Sequence, residues 1–197
     1  MSGRMTSVVA GVLLVSLVVL GGAASAGKKG RNVVVNDPVD KNGKLYENKT
    51  YAQCDVTTVK ATVKRGRLVI KMDFRGKKES GSLVVHLNTR GGKKSLPEYD
   101  IDNSGGLTKF KGPVKPEGYR DSTYKSEVAK VKLKDKMKSV QFELPLRKIG
   151  KPKNTGFQVQ TCGEGATDIA PGGNYFNAGK KWDGTINRKY KDIKTGS

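Results

Sequence analysis

The feature that most constrains this fold is the alternation of hydrophobic and polar residues through the middle of the chain. Apolar residues recur at every second position in two successive runs: Val59, Ala61 and Val63, then Leu68, Ile70, Met72 and Phe74. Alternate residues of a β-strand point to one face, so each run predicts a strand with one buried face. Arg65 and Gly66 between the runs supply a tight turn. The pattern therefore predicts a β-hairpin that begins near Val56.

Shorter apolar runs follow at fairly regular spacing. They are Leu83, Val85 and Leu87; Tyr99 and Ile101; Leu107 and Phe110; Ala129, Val131 and Leu133; Val140, Phe142 and Leu144; and Phe157, Val159 and Thr161. The apolar positions change from odd to even numbers between Leu133 and Val140, so a turn must fall within residues 134–139. Pro145 to Gly150 has the pattern of an irregular or 3₁₀ segment. At 35% hydrophobic residues the chain can bury a core. We expect an all-β protein, an antiparallel, jelly-roll-like β-sandwich of about seven or eight strands over residues 51–163.

The first 26 residues have the features of a secretory signal peptide. Arg4 precedes an apolar stretch at residues 8–20, and Ala24-Ser25-Ala26 provides small residues at a cleavage site. An uncleaved membrane anchor is the alternative, but the stretch is shorter than the ~20 residues that span a bilayer. We expect cleavage after Ala26 and a secreted, extracellular protein with no transmembrane segment.

Two segments flank the predicted sandwich. Residues 27–50 are rich in Lys, Gly and Asn and predict a flexible basic arm, in which residues 33–35 fit an edge strand. Residues 164–197 predict an irregular C-terminal extension. Its aromatic residues form either a platform for stacking sugars or bases, beside Lys180 and Lys181, or a hydrophobic attachment to the sandwich. These residues are Tyr175, Phe176, Trp182 and Tyr190.

The two cysteines stand at opposite ends of the predicted sandwich. Cys54 precedes the first core strand and Cys162 ends the last. In an exported protein two cysteines are more often paired than free, so we expect one disulfide. Two separate buried thiols are the alternative.

Three segments and a turn resemble a known group of domains. Residues 55–59 (DVTTV) and 66–75 (GRLVIKMDFR) look like the opening hairpin of uncharacterised secreted actinobacterial proteins, and residues 144–152 (LPLRKIGKP) are similar to their Pro-Arg-x-x-Leu-Gly-x-Pro stretch, with Ile149 in place of Leu. Residues 168–171 (DIAP) resemble a closing turn of domains similar to family 9 carbohydrate-binding modules and DOMON domains. The resemblance implies a jelly-roll-like sandwich that binds a ligand. It carries over no haem-ligating pair and no pair of sugar-clamping tryptophans.

Few residues offer catalytic or metal chemistry. His86, the only histidine, lies on the strand face opposite Leu83, Val85 and Leu87, and no spacing places a nucleophile beside it, so we expect an exposed strand histidine. Asp100 and Asp102 share one face of a strand and form a weak calcium candidate, with turn capping as the alternative. We expect a protein that is not an enzyme and that binds no cofactor. A secreted hydrolase that uses these carboxylates is the alternative function.

A net charge of +20 dominates the predicted surface. Such a charge attracts polyanions, and an excess of Lys over Arg favours diffuse attraction over sequence-specific nucleic-acid recognition. A basic stripe runs along one predicted strand and its turn: Lys130, Lys132, Lys134, Lys136 and Lys138. The stripe either binds polyanions or protects an exposed strand from aggregation. We expect a monomeric binding or structural module of the cell envelope that contacts anionic polysaccharide or cell-wall polymer through these lysines.

Overall fold

The computed structural model describes residues 31–36, 52–78, 81–90, 96–113, 120–163, 166–171, 175–176 and 190–196. The predicted signal segment, residues 1–26, lies outside the described residues, as do residues 27–30 and 37–50 of the predicted arm. No helix within the described ranges is both long and apolar enough to cross a membrane.

Most of the described chain forms β-strands. The strands are β1 (Asn32–Asn36), β2 (Val56–Lys64), β3 (Arg67–Phe74), β4 (Ser82–Asn88), β5 (Tyr99–Asp102), β6 (Leu107–Lys111), β7 (Asp121–Lys125), β8 (Lys130–Lys134), β9 (Ser139–Pro145), β10 (Asn154–Gly163), β11 (Ala166–Ala170), β12 (Tyr175–Phe176) and β13 (Lys191–Lys194). A 3₁₀ helix, Leu146–Ile149, follows β9, where the sequence predicts an irregular or 3₁₀ segment. The all-β prediction is confirmed.

The strands form two antiparallel sheets. The five-stranded sheet has the order β1-β2-β3-β9-β8, and the eight-stranded sheet has the order β12-β11-β10-β4-β5-β6-β7 with β13 paired to β10. Apolar residues of both sheets meet in one core that includes Ile70, Phe142, Leu87 and Phe157. Truncating a large buried side chain of this kind to Ala usually costs about 2–5 kcal/mol. One face of each sheet therefore packs against this core, and the other face is the outer face.

The predicted hairpin is confirmed as β2 and β3. Arg65 and Gly66 connect the strands with φ angles of 50° and 70°, the left-handed backbone of a two-residue hairpin turn. A register shift between Val56 and Thr58 explains why Val56 and Val59 are both buried although they are three positions apart.

The predicted turn between odd and even apolar positions is also confirmed. It falls at residues 135–138, between β8 and β9. However, Leu133 is 57% exposed, so its prediction as a core residue was wrong. Because β8 is the edge strand of its sheet, only part of it is covered by the other sheet.

The sheets continue beyond residue 163, where the sequence predicts that the sandwich ends. Residues 164–197 were expected to be irregular, but β11 and β13 both pair with β10. The buried apolar residues described in these strands are few, Ile169 and Ala170 in β11 and Ile193 in β13, so neither strand shows a run long enough to recognise. The strand β7 was missed for the same reason, since all five of its residues are exposed. At the N-terminal side, β1 pairs with the edge of β2 at the position of the expected edge strand.

Buried hydrogen bonds connect the start of β2 to the eight-stranded sheet. Asp168 in β11 is fully buried, and its Oδ2 accepts a 2.6 Å hydrogen bond from the amide of Val56. In β10, the hydroxyl of Thr161 donates to the carbonyl of Cys54. The predicted disulfide from Cys54 to Cys162 stays a prediction, because the side chain of Cys162 lies outside those that the structure describes.

Candidate polyanion-binding face

The outer face of the five-stranded sheet carries a group of basic side chains from four strands. Alternate residues of β2, β3 and β9 are buried against the core, so the intervening residues project outward. Register with β9 places Lys130, Lys132 and Lys134 of β8 on the same outward face. The outward cations are Lys60, Lys64, Arg67, Lys71, Lys130, Lys132 and Lys134. The outward acids on these strands are Asp73 and Glu143. We call this surface the basic face.

Strand register aligns these lysines in rows that cross the sheet. Lys60 of β2 lies opposite Lys71 of β3, which lies opposite Gln141 of β9, and Gln141 lies opposite Lys132 of β8. Like charges directly opposite each other on neighbouring strands are destabilising. A bound polyanion would remove this repulsion.

Two lysines of the basic face are held by carboxylates. Lys132 Nζ lies 2.8 Å from Glu143 Oε1, and this hydrogen bond lowers the pKa of Glu143 below its ordinary value. Lys71 Nζ lies 2.8 Å from Asp135 and 3.1 Å from Asp73, and hydrogen bonds to these two carboxylates raise the pKa of Lys71. These two lysines are therefore partly neutralised.

Other lysines of the basic face are not held by a carboxylate of the described residues. Lys60, Lys64, Lys130 and Lys134 are exposed. None of them forms an ion pair with a described residue, in contrast to Lys71 and Lys132. Exposed ammonium groups on flexible stems suit contact with a flexible anionic chain.

The predicted stripe is divided between a strand and a turn. Lys130, Lys132 and Lys134 lie on the edge strand β8, whereas Lys136 and Lys138 are exposed in the turn that follows it. The edge position also agrees with the alternative interpretation, protection against edge-to-edge pairing. The stripe is one border of a wider basic face.

The sequence prediction missed the lysines of the β2–β3 hairpin. Lys60, Lys64 and Lys71 alternate with the buried residues that predict this hairpin, so their outward direction was readable from the sequence. What the sequence does not show is that β3 pairs with β9, which puts these lysines and Lys132 on one face of the same sheet.

The expectation for His86 was wrong. His86 is only 5% exposed and is hydrogen-bonded on both sides, with Nδ1 2.7 Å from Asp100 Oδ1 and Nε2 3.0 Å from Gln160 Oε1. Register explains the contact with Asp100, because β5 places it directly opposite His86. Since Nε2 faces an amide and not a hydroxyl or thiol, the pair lacks the nucleophile of a catalytic triad.

Two acceptors beside one imidazole favour its doubly protonated form. Burial lowers the pKa of His86, but the hydrogen bond and charge of Asp100, with the hydrogen bond to Gln160, outweigh burial and raise that pKa above its ordinary value of 6.5. The His86–Asp100–Gln160 group is therefore a satisfied polar network within the outer layer of the eight-stranded sheet.

The second predicted calcium ligand, Asp102, caps a turn. Its Oδ1 accepts hydrogen bonds from the amides of Ser104 at 2.8 Å and Gly106 at 2.9 Å, and its Oδ2 accepts one from the hydroxyl of Tyr124 at 3.2 Å. Burial raises the pKa of Asp102, but the hydrogen bond from the Ser104 hydroxyl, together with those from the two amides and Tyr124, lowers that pKa below its ordinary value. Within the described residues no group of three His, Cys, Asp or Glu side chains is arranged to hold a metal ion. This geometry agrees with turn capping.

The predicted stacking residues lie mainly outside the described part of the chain. Tyr175 and Phe176 form β12, paired with β11, but their side chains and the whole of Trp182 are not described. Tyr190 is half-buried and packs over Gly156. A Cβ atom added to Gly156 would lie 3.0 Å from the Cβ of Tyr190. For Tyr190 this contact favours attachment to the sheet.

Comparison with known proteins assigns the chain to no family. No protein-family model, curated protein or solved structure matches this chain. Function must therefore be inferred from the charges and contacts of the chain's own residues.

Proposed function

We propose that the protein is a secreted, non-catalytic binding module that holds an anionic polymer of the cell envelope on its basic face. The observation that carries this proposal is the group of exposed lysines without ion-pair partners among the described residues: Lys60, Lys64, Lys130 and Lys134. A net charge of +20 adds long-range attraction for any polyanion.

The size of the basic face favours a polymer over a small anion. From β2 to β8 the face crosses three strand spacings, about 14 Å at ~4.8 Å each. A chain with a charge on every repeat can contact several lysines together and release their counterions, which makes its binding depend strongly on salt. The lysines carry no rigid pattern of donors, so we expect little preference for linkage or sequence.

The jelly-roll-like form of the sandwich, which the resemblance to carbohydrate-binding domains implies, belongs to this proposal. The chain passes between the sheets from β3 to β4 and again from β9 to β10, and these strands pair as β3–β9 and β4–β10. A third crossing leads from β7 to β8. Because β3 and β9 are antiparallel, the first and last crossings lie at opposite ends of the sheets, one beside the β8–β9 turn and the other beside the β2–β3 turn. The strand order therefore supports a two-sheet sandwich, and the jelly-roll form rests on the resemblance.

Polymer binding is tested directly with the purified protein and three polymers. Polyglycerol phosphate and polygalacturonate should both bind at low salt, with affinity falling steeply towards 0.2 M salt, and a neutral glucan should not bind. If neither polyanion binds, the proposal is wrong. Binding that does not change with salt would also overturn it.

Secretion is tested by the N-terminus of the protein in the culture medium. The small residues at Ala24 and Ala26 predict a mature chain that begins at Gly27. Mass spectrometry of the medium should find this terminus. An intact Met1 terminus, or protein retained in the cells, would contradict the prediction.

A further inference from the structure

One end of the five-stranded sheet holds a cavity of about 730 Å³ with a concentration of arginines. Four of the nine arginines of the chain line it, together with Lys151. The arginines are Arg31, Arg65, Arg67 and Arg147. We call this site the arginine cavity. Val63, Pro145 and Leu146 give it an apolar part.

Backbone hydrogen bonds hold the segments that carry these cations. The amide of Val63 donates to the carbonyl of Arg31 at 3.0 Å, which fixes the chain just before β1. The amide of Leu146 donates to the carbonyl of Gly66 at 3.0 Å and joins the 3₁₀ helix to the β2–β3 turn. The amide of Lys151 in turn donates to Leu146 at 2.9 Å. The cations thus converge from segments that are distant in sequence.

The lining of the arginine cavity contains no acidic side chain. Its residues are basic, apolar, Gly or Thr, and none of its cations forms an ion pair with a described residue. The hydrogen bond of the Arg31 guanidinium is to the carbonyl of Gly196, at 3.5 Å. Because clustered like charges repel, a bound anion would relieve the cost of this arrangement.

The residue type distinguishes the arginine cavity from the basic face. A guanidinium presents a planar fork of N–H donors that grips an oxyanion through two oxygens, which an ammonium cannot do. Four forks from three segments of the chain suit a phosphodiester, whose two free oxygens accept donors from all sides of each P–O bond, better than a carboxylate, whose oxygens accept mainly in one plane. The apolar part can cover the carbon chain beside the phosphate.

We propose that the arginine cavity selects phosphate groups, and therefore that the polymer held by this protein is a polyol phosphate and not a uronic-acid glycan. This inference rests on the proposed function, since it names the class of the polymer. Arg65 and Arg67 also line the shallow groove that runs over Lys60, Lys64 and Lys71. A chain whose phosphate occupies the cavity can therefore continue onto the basic face.

The test compares two polymers on wild type and two variants. Polyglycerol phosphate and polygalacturonate of equal length are titrated against wild type, R65Q/R147Q and the control K109Q/K125Q, which removes the same charge from exposed sites on the eight-stranded sheet. Wild type and the control should bind polyglycerol phosphate about tenfold more tightly than polygalacturonate, because the carboxylate polymer forms fewer charge-assisted hydrogen bonds with the arginines. R65Q/R147Q should bind both polymers equally.

The outcomes separate the two proposals. If wild type binds neither polymer, the proposed function fails. If wild type binds both equally, or if R65Q/R147Q weakens both by the same factor, the function stands and phosphate selection fails. Dimethyl phosphate, a monoanion like galacturonate, should compete with polyglycerol phosphate on wild type more strongly than galacturonate does, and equal competition would contradict the inference. Should R65Q/R147Q fail to fold, the single variant R147Q, at an exposed residue of the 3₁₀ helix, serves in its place.

Discussion

The outer faces of the two sheets follow the same alternation rule but use their polar residues differently. On the five-stranded sheet the basic face leaves exposed lysines without ion-pair partners among the described residues. On the eight-stranded sheet His86, Asp100 and Gln160 bond to one another in a buried network. Exposed lysines of that sheet, such as Lys109 and Lys125, also form no ion pair with a described residue. A satisfied polar network stabilises a fold, whereas charges left unpaired are available to a partner. The grouping of such lysines across four neighbouring strands therefore points to the basic face as the binding surface.

The largest expected effect concerns the link between these two sheets. A disulfide from Cys54 to Cys162 would tie the start of β2 to β10, and the bond between Thr161 and Cys54 already brings these segments together. In the chain-entropy model, closing a loop of this length stabilises a protein by about 4–5 kcal/mol. Urea unfolding with and without reductant should show a loss of this order. Two alkylated thiols in the unreduced, denatured protein would contradict the bridge.

The next effect tests the network of the eight-stranded sheet. Asp100→Asn removes the charge that keeps His86 protonated, so it should lower the free energy of unfolding by about 2 kcal/mol, as expected for a lost hydrogen bond between charged groups. Because the pKa of His86 is raised in the folded state, the stabilisation is present below pH 6.5 and is lost as the pH rises through the raised value. Urea unfolding should therefore show a larger effect of the substitution at pH 6 than at pH 9.

Asp192→Asn is the matched control for this substitution. Asp192 is exposed on β13, so its change should stay within about 0.5 kcal/mol at both pH values. An effect of Asp100→Asn that is equally small, or that grows with pH, would show that the His86 network does not stabilise the sheet.

A smaller effect is expected from reversing charge on the basic face. Lys130→Glu with Lys134→Glu changes two exposed lysines of β8, and it should weaken polyanion binding by about tenfold and lower the salt slope by roughly two. Lys109→Glu with Lys125→Glu makes the same change in net charge on β6 and β7. If both pairs weaken binding equally, net charge alone governs attraction and the basic face has no special role.

The smallest effect comes from strengthening the basic face. Glu143→Gln removes the carboxylate that holds Lys132 at 2.8 Å and should tighten polyanion binding by about twofold, since surface ion pairs contribute ~0–1 kcal/mol. Titration at low salt is the measurement. Weaker binding after the substitution would mean that Glu143 positions Lys132 for contact.

The sequence predicts the local structure of this fold better than its assembly. The β2–β3 hairpin and the turn after Lys134 follow from alternation and parity, which act over a few residues. Strands that bury little, such as β7 and β13, leave no periodic signal, because they form by pairing with strands already in place. Leu133 fits the alternation and is still exposed, since its strand lies at a sheet edge.

The candidate sites show the same limit. The lysines of β8 were readable as a stripe, and those of the hairpin could have been read in the same way. The arginine cavity could not, because Arg31, Arg65 and Arg147 meet only through the pairing of β1 with β2 and the packing of the 3₁₀ helix on the hairpin turn. The partner of His86 likewise depends on which strand lies beside β4.

Lysine acetylation with and without bound polymer tests the central claim most directly. The reaction is run at low salt with polyglycerol phosphate, and the modified lysines are located by mass spectrometry. Polymer on the basic face should protect Lys60, Lys64, Lys130 and Lys134, while the exposed lysines of the eight-stranded sheet, Lys109, Lys111 and Lys125, keep their rates. Equal protection of both groups, or protection confined to the eight-stranded sheet, would contradict the account.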